Sequence, residues 1–309
     1  MKLTIAYLTS RESSKIEWFF DSLAKQLSYG DEIHFIVVDG LLNDERMRDF
    51  QSKFNVSVPK DVTATYRHVL PKPTIWQGKH RITKVDWWAK SNAHNTAIIL
   101  CETDFIAFLD DRSILTSEWL NCVKEAMTST YAVCGSYEKR SGMIVERGEI
   151  KFLGECLGVD IRSQFGKPVP TSDWYGGSCA LPLEWCLAVN GYSEDLCDGL
   201  GSEDSMFGRT MIHSGFPMKF DSRMRIIEDR TPGPAYEGAL KRADKRVDLG
   251  RRAKSWGIVK AFHLKTSSQN SFDIRHHRAR VRNGEDLQSI MPSASHFDWY
   301  DGQPVSEME

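Results

Sequence analysis

The sequence predicts an α/β fold in which a mostly parallel sheet is flanked by helices and followed by a basic helical C-terminal extension. Three observations carry this. Short, continuous apolar runs at residues 3–8, 33–38 and 105–109 end on acids or turn residues, the form of strands buried on both faces. A segment with apolar residues at helical spacing, 16–27, joins the first two runs. Strand, helix, strand in that order implies parallel pairing. Lys and Arg then concentrate late in the chain.

The elements follow in order. Residues 3–8 read as a buried strand with a Thr9-Ser10-Arg11 turn, and 16–27 as a helix carrying Ile16, Phe19, Phe20, Leu23 and Leu27 on one face. Gly30 stops that helix, and 33–38 is a second strand closed by Asp39-Gly40. Residues 47–54 read as a short helix and 65–70 as a strand. A loop rich in Pro, Gly and basic residues leads to a helix over 87–100 and a strand over 105–109. A helix over 119–127 and a strand over 131–137 come next, then hairpins and loops across 142–173. Regular structure resumes over 178–189. Residues 202–213 read as a helix with Ser202 as N-cap. Residues 224–227 make a last strand, 236–256 a basic helix, and the final fifteen or so residues a tail.

Bulk composition bounds the function. The 309 residues are 41% hydrophobic and 27% charged, ordinary values for a chain with a buried core. The formal net charge is only -2, yet residues 239–282 hold thirteen Lys/Arg against three Asp/Glu. That asymmetry reads as a footprint for an anionic partner, DNA included, or as a solvated helix face and tail. No reader motif for nucleic acid accompanies it, and aromatic interleaving is thin. The seven cysteines show no metal-binding spacing and read as reduced core thiols. The apolar start is too short for a signal peptide, and no run of about 18 apolar residues occurs, so the expectation is a cytoplasmic protein that is not integral to a membrane.

Four constellations carry chemistry. Asp110-Asp111-Arg112 closes an apolar strand, where open α/β sheets bind ligands; carboxylates there can hold a divalent cation and, through it, a diphosphate. The bland reading is a solvated turn. Asp39 ends the second strand, where an acid can accept from a base or ribose, although Asp-Gly is also a common turn. Glu203-Asp204 enters the first turn of a helix after Gly199 and Gly201. The pair reads equally as dipole-favoured capping and as a general base. Trp174-Tyr175-Gly176-Gly177 reads as an aromatic platform for a sugar face, or as a packed loop.

These pieces occur in the order shown by glycosyltransferase family 2 and its GT-A relatives, and the resemblance covers roughly residues 1–230. Residues 35–39 resemble that family's second strand and its nucleobase-contacting acid. Residues 88–95 resemble the helix that lies against the donor, and 106–111 the strand that ends in the DxD motif. Residues 177–182, 190–194 and 201–207 are similar to a galactosyltransferase-like C-terminal segment. The resemblance implies a Rossmann-like GT-A domain with a nucleotide-sugar half at 1–120, an acceptor and catalytic half at 121–235, and an extension at 236–309.

The implied activity is inverting transfer of a hexose-type sugar from a nucleotide sugar, a UDP-sugar foremost, to a hydroxyl of a glycan or of a modified nucleic-acid base. The implied donor contacts are Thr9, Arg11, Asp39, Lys90, Asn92, Asn95, Asp110 and Arg112. Asp204 is the implied base, with Glu203 holding the acceptor beside Trp174, Gly176 and Gly177. Asp111 and Glu228 are the implied ligands of Mn²⁺ or Mg²⁺, with His263 a weaker candidate. Arg112 stands where the family has an acid, so its guanidinium is an alternative counter-charge for the diphosphate. The competing readings are a nucleotidyltransferase, which lacks its Gly-rich loop here, and a non-catalytic nucleotide-sugar or glycan-binding module on a decayed transferase fold.

Overall fold

The structure is a computed structural model that describes residues 1–81, 86–198, 202–231, 241–242, 270 and 272–292. The chain opens with β1 (Lys2–Thr9), α1 (Ile16–Ala24), β2 (Glu32–Asp39), α2 (Asp44–Ser57) and β3 (Thr63–Val69). Next come β4 (Trp87–Trp88), α3 (Lys90–Leu100), β5 (Phe105–Asp110), β6 (Ser113–Leu115), α4 (Trp119–Ser129) and β7 (Ala132–Arg140). The short strands β8 (Ile144–Glu146), β9 (Glu149–Phe152), β10 (Cys156–Val159) and β11 (Val169–Pro170) lead to β12 (Ser178–Pro182). The chain continues through α5 (Leu183–Ala188), α6 (Glu194–Cys197), α7 (Glu203–His213) and β13 (Met218–Asp229). It ends with β14 (Lys241–Arg242) and α8 (Ile274–Arg282). Two compact units result: Met1–Leu70, Cys101–Leu183 and Phe216–Ala239; and Pro71–Leu100, Glu184–Gly215 and Leu240–Glu309.

The first unit holds a mixed sheet in the order β11-β13-β7-β12-β5-β1-β2-β3, with β10 on β7 and β6 on β13. β3, β2, β1 and β5 are mutually parallel, as the apolar runs predict. One core packs Leu3, Ile5 and Tyr7 of β1 and Ile33, Phe35 and Val37 of β2 against Ile16, Phe19, Phe20 and Leu23 of α1. Alternate residues of each strand face this helix because strand side chains have a period of two. Phe20, Phe35 and Phe54 meet edge to face with centroids 5.3–5.7 Å apart, a preferred aromatic geometry. Asn43 caps α2 by accepting from Arg46 N at 2.9 Å, with Asp44 and Glu45 favourably placed in the first turn.

In the second unit α3 is buried almost all round. Both of its ends are satisfied by side chains distant in sequence. Asp198 accepts from Ser91 N (2.6 Å) and Asn92 N (3.1 Å), and Arg278 of α8 donates to the carbonyls of Ile98 (3.1 Å) and Ile99 (3.0 Å). An acid at the N-terminus and a cation at the C-terminus complement the helix dipole. Three rings stack beside it: His94 on Tyr192 and Tyr192 on Phe207, each with centroids 4.0 Å apart.

Several elements differ from the sequence reading. The helix expected over 87–100 starts only at Lys90, because Trp87 and Trp88 pair as a strand with Lys241 and Arg242. These last two residues are therefore extended rather than part of a basic helix; the rest of 236–256 and the tail lie outside the described residues. The last expected strand, 224–227, is a twelve-residue strand, β13. Ser202 precedes α7 but makes no side-chain capping bond, since its backbone is left-handed at φ 67°. None of the seven cysteines is in a disulfide; six are buried, and Cys156 is exposed rather than in the core.

Candidate functional site

The first unit presents a row of polar residues where its parallel strands end. Thr9 and Asp39 terminate β1 and β2 and stand opposite one another in register, and Asp110 stands opposite Leu8. β1 lies between β2 and β5, so the strand order reverses there. That is the position at which open α/β sheets bind ligands.

Asp39 is fully buried and accepts from Leu41 N (3.0 Å), Arg46 Nε (2.5 Å) and His68 Nε2 (3.0 Å). Arg46 also donates to the carbonyls of Arg11 (2.6 Å) and Glu12 (2.7 Å). The expected nucleobase acid thus acts in this geometry through Arg46, fixing the loop that follows β1.

Asp111 accepts from Thr9 Oγ1 at 2.7 Å and from the Arg11 guanidinium. Burial pushes its carboxyl above the ordinary carboxylate value, against the pull of Arg11. Glu228 sits nearby on β13, almost wholly inaccessible. It faces Arg230 Nε at 2.7 Å, without the alignment of a hydrogen bond. Burial raises its carboxyl first, Arg230 opposes, and Asp110 adds repulsion.

Arg112 is placed differently from the expectation. Its side chain is 2% exposed, and it donates to Asp229 Oδ2 (2.5 Å), Asp229 O (3.1 Å) and Ser13 O (3.2 Å). Its backbone is left-handed at φ 57°, and its N–H reaches Ser14 O and Tyr7 Oη. This guanidinium locks the turn after β5 to the end of β13.

Gly177 has a specific steric role. A Cβ there would lie 2.6 Å from Tyr175 Oη and 2.7 Å from Asp110 Oδ2, so these two side-chain tips occupy the space that a larger residue would take. Trp174 is 5% exposed, so its ring belongs to the packed interior rather than to a platform; Tyr175 is the half-buried aromatic. Gly176 is buried, and its carbonyl receives the Cys179 thiol at 3.7 Å.

Among the described residues no group of three or more His, Cys, Asp or Glu converges as an ion site. Asp111 already holds Thr9 and Arg11, and Glu228 faces Arg230. The arrangement fits arginine counter-ions and does not fit a ready metal centre. His263 lies outside the described residues.

In the second unit, Asn92 and Asn95, expected at the donor, reach the Glu194 carboxylate. Both are fully buried. Asn95 Nδ2 donates to Tyr192 O and to Glu194 Oε1, each at 2.8 Å, and its Oδ1 accepts from Tyr192 N at 2.8 Å. Asn92 Nδ2 reaches Glu194 Oε2 at 3.3 Å. Glu194 also pairs with Lys72 Nζ at 2.7 Å. These asparagines build a buried network, because an unpaired carboxylate there would be costly. Glu203 and Asp204 open α7 as expected. Glu203 is buried and lies 3.7 Å from Lys90 Nζ, and Asp204 is half-buried. Gly199 and Gly201 lie outside the described residues.

The sequence reading missed Arg46, His68 and Arg230. Arg46 carried a signal: it lies one helical turn after an Asn cap, on a helix that directly follows Asp39.

No family model matches the chain, and no curated protein matches it. Solved structures do. S. aureus TarS residues 1–349 in complex with UDP-GlcNAc superposes with a TM-score of 0.53 at 13% identity, covering 90% of this chain and 69% of that one. The mannosyltransferase PcManGT from Pyrobaculum calidifontis, in complex with GDP-Man and Mn²⁺, gives 0.50 at 15% identity, covering 92% and 70%. At these identities the likeness establishes architecture: the chain has the α/β GT-A glycosyltransferase fold.

Proposed function

We propose that this chain is a nucleotide-sugar-dependent glycosyltransferase that moves a hexose-type sugar to a hydroxyl acceptor with inversion. One observation carries the reading. Thr9, Asp39 and Asp110 line the carboxyl ends of β1, β2 and β5 at the reversal of strand order, in a fold shared with two proteins solved with nucleotide sugars. Thr9, Arg11 and Asp110 are assigned to the donor. Tyr175 is assigned to a sugar face, with Gly176 and Gly177 keeping the space beside it open.

The transfer is a single displacement. The acceptor oxygen bonds to the anomeric carbon, the bond from that carbon to the diphosphate oxygen breaks, and the electron pair leaves with the diphosphate. The acceptor proton passes to Asp204, a half-buried carboxylate on the first turn of α7; a positioned carboxylate is the usual base for a hydroxyl nucleophile. Glu203, near Lys90, is assigned to holding the acceptor. Mn²⁺, present in the mannosyltransferase complex, is the alternative counter-charge for the departing diphosphate. It would require Asp111 and Glu228 to exchange their arginines for an ion. The DNA-acceptor expectation rested on a basic stretch that lies mostly outside the described residues, and it is not carried into this proposal.

The test is a thermal-shift screen of purified protein with UDP- and GDP-sugars, followed by turnover with Asp204→Asn. A ligand that binds only the folded chain raises the melting temperature. The expected result is stabilisation by one nucleotide class, with donor binding retained and transfer abolished in Asp204→Asn. Robust transfer by that variant removes Asp204 from its role. Donor binding without any transfer or donor hydrolysis by the wild-type chain favours the non-catalytic module.

A further inference from the structure

We infer that Arg46 is a positioning residue for the donor, and that Asp39, at the place expected of a nucleobase contact, acts on the donor only through Arg46. This rests on the donor reading above and deepens it by naming what sets the donor loop.

Arg46 ties three elements together. Its Nε donates to Asp39 Oδ2 at the end of β2 (2.5 Å), and its terminal nitrogens donate to Glu12 O (2.7 Å) and Arg11 O (2.6 Å) in the loop after β1. On α2 its backbone N–H donates to Asn43 Oδ1 at 2.9 Å, and its guanidinium lies 4.6 Å from the centre of the Phe50 ring. The guanidinium is a rigid planar fork, so bonds to two consecutive carbonyls fix the peptide planes 11–12 and 12–13 together. Arg11, assigned to the donor, hangs from the first of these planes. Its approach to a ligand is therefore set by a residue on α2.

Asp39 is enclosed. The residue is fully buried, Oδ1 accepts from Leu41 N at 3.0 Å, and Oδ2 accepts from both Arg46 Nε and His68 Nε2. His68 is held in turn: its side chain is 1% exposed, and its ring stacks on Phe50 with centroids 5.0 Å apart. Phe50 thus touches both partners of Asp39, and the four side chains close on one another. A carboxylate so placed orients Arg46. To accept from a nucleobase it would have to leave its buried place and release a donor, which strands a charge-assisted bond.

The experiment is a double-mutant cycle read by titration calorimetry of the full chain with UDP and with GDP, below the melting transition. The variants are Asp39→Asn, Arg46→Gln, the double variant Asp39→Asn/Arg46→Gln, and Arg46→Lys, which keeps the charge beside Asp39 and so guards the fold. Circular dichroism checks folding. For the nucleotide that the wild-type chain binds, each single variant should weaken binding by about tenfold. The double variant should be within about threefold of the weaker single one, because both changes break one path. Arg46→Lys should bind as weakly as Arg46→Gln, since an ammonium cannot hold both carbonyls. Losses that multiply to about a hundredfold in the double variant overturn the inference and return Asp39 to a direct contact. Wild-type affinity in either folded Arg46 variant also overturns it, and the arginine then serves the fold alone. Either of these results leaves the donor reading standing. No binding of UDP or GDP by folded wild-type protein overturns the donor reading and this inference with it.

Discussion

Arg112→Lys separates an arginine that holds the fold from one that holds a ligand. The guanidinium makes three bonds to groups of its own chain: Asp229 Oδ2 at 2.5 Å, Asp229 O at 3.1 Å and Ser13 O at 3.2 Å. A lysine ammonium keeps the carboxylate pair at best, because a single nitrogen cannot span the fork. Two carbonyls then lose their donor. At about 1–1.5 kcal/mol each, the loss is about 2–3 kcal/mol, roughly 5 °C in melting temperature for a chain of this size. The left-handed backbone at φ 57° is equally unfavourable for Lys and Arg, so it cancels from the difference. Two assays are needed: thermal melting followed by circular dichroism, and calorimetric titration with the nucleoside diphosphate well below the transition. The expected pattern is a clear fall in melting temperature with affinity within about threefold of wild type. An unchanged melt with affinity reduced tenfold or more would refute the reasoning and restore Arg112 to the donor.

Other consequences follow from single contacts. Gly177→Ala places a Cβ within 3 Å of the Tyr175 and Asp110 side-chain tips. Both tips can swing aside, so melting should change little while donor affinity or turnover falls by about tenfold; intact activity would show that neither group faces the substrate. Lys72→Met strands the buried Glu194 carboxylate and should cost about 3–5 kcal/mol in urea unfolding, whereas Lys72→Met/Glu194→Leu should recover much of it. Equal losses in the single and double variants would contradict that account. His277 is held down to about 4, first by burial and next by Lys72, from an ordinary value of 6.5. A depressed histidine contributes stability that is full above pH 6.5 and is lost as pH falls towards 4. After discounting for solvent screening this is about 1–2 kcal/mol. His277→Phe, which keeps an aromatic ring against Phe272, should remove that part of the acid sensitivity; urea midpoints at pH 7 and 4.5 that shift identically in both proteins would count against it.

The parallel half of the sheet was legible because it is written locally. β1, β2 and β5 are continuous apolar runs, and burial on both faces leaves that trace in the residues themselves. The acids at the ends of those runs were legible as positions but not as roles. Asp111 finds Arg11 100 residues away, and Asp198 finds the first turn of α3 107 residues away. Periodicity reports which face is buried and says nothing of which counter-charge arrives. α3 shows the same limit: its polar residues resemble a surface face, yet it is buried almost all round because Glu194, Asp198 and Arg278 come to satisfy it. The interleaving of three chain segments into each compact unit is likewise a property of contacts rather than of residue order. An acid at the carboxyl end of a strand thus has two physical outcomes. It is presented to a ligand, or it is neutralised from within by a basic side chain that can reach it. Asp39 takes the second course because Arg46 follows on the next helix, and Asp111 does so because Arg11 follows the adjacent strand.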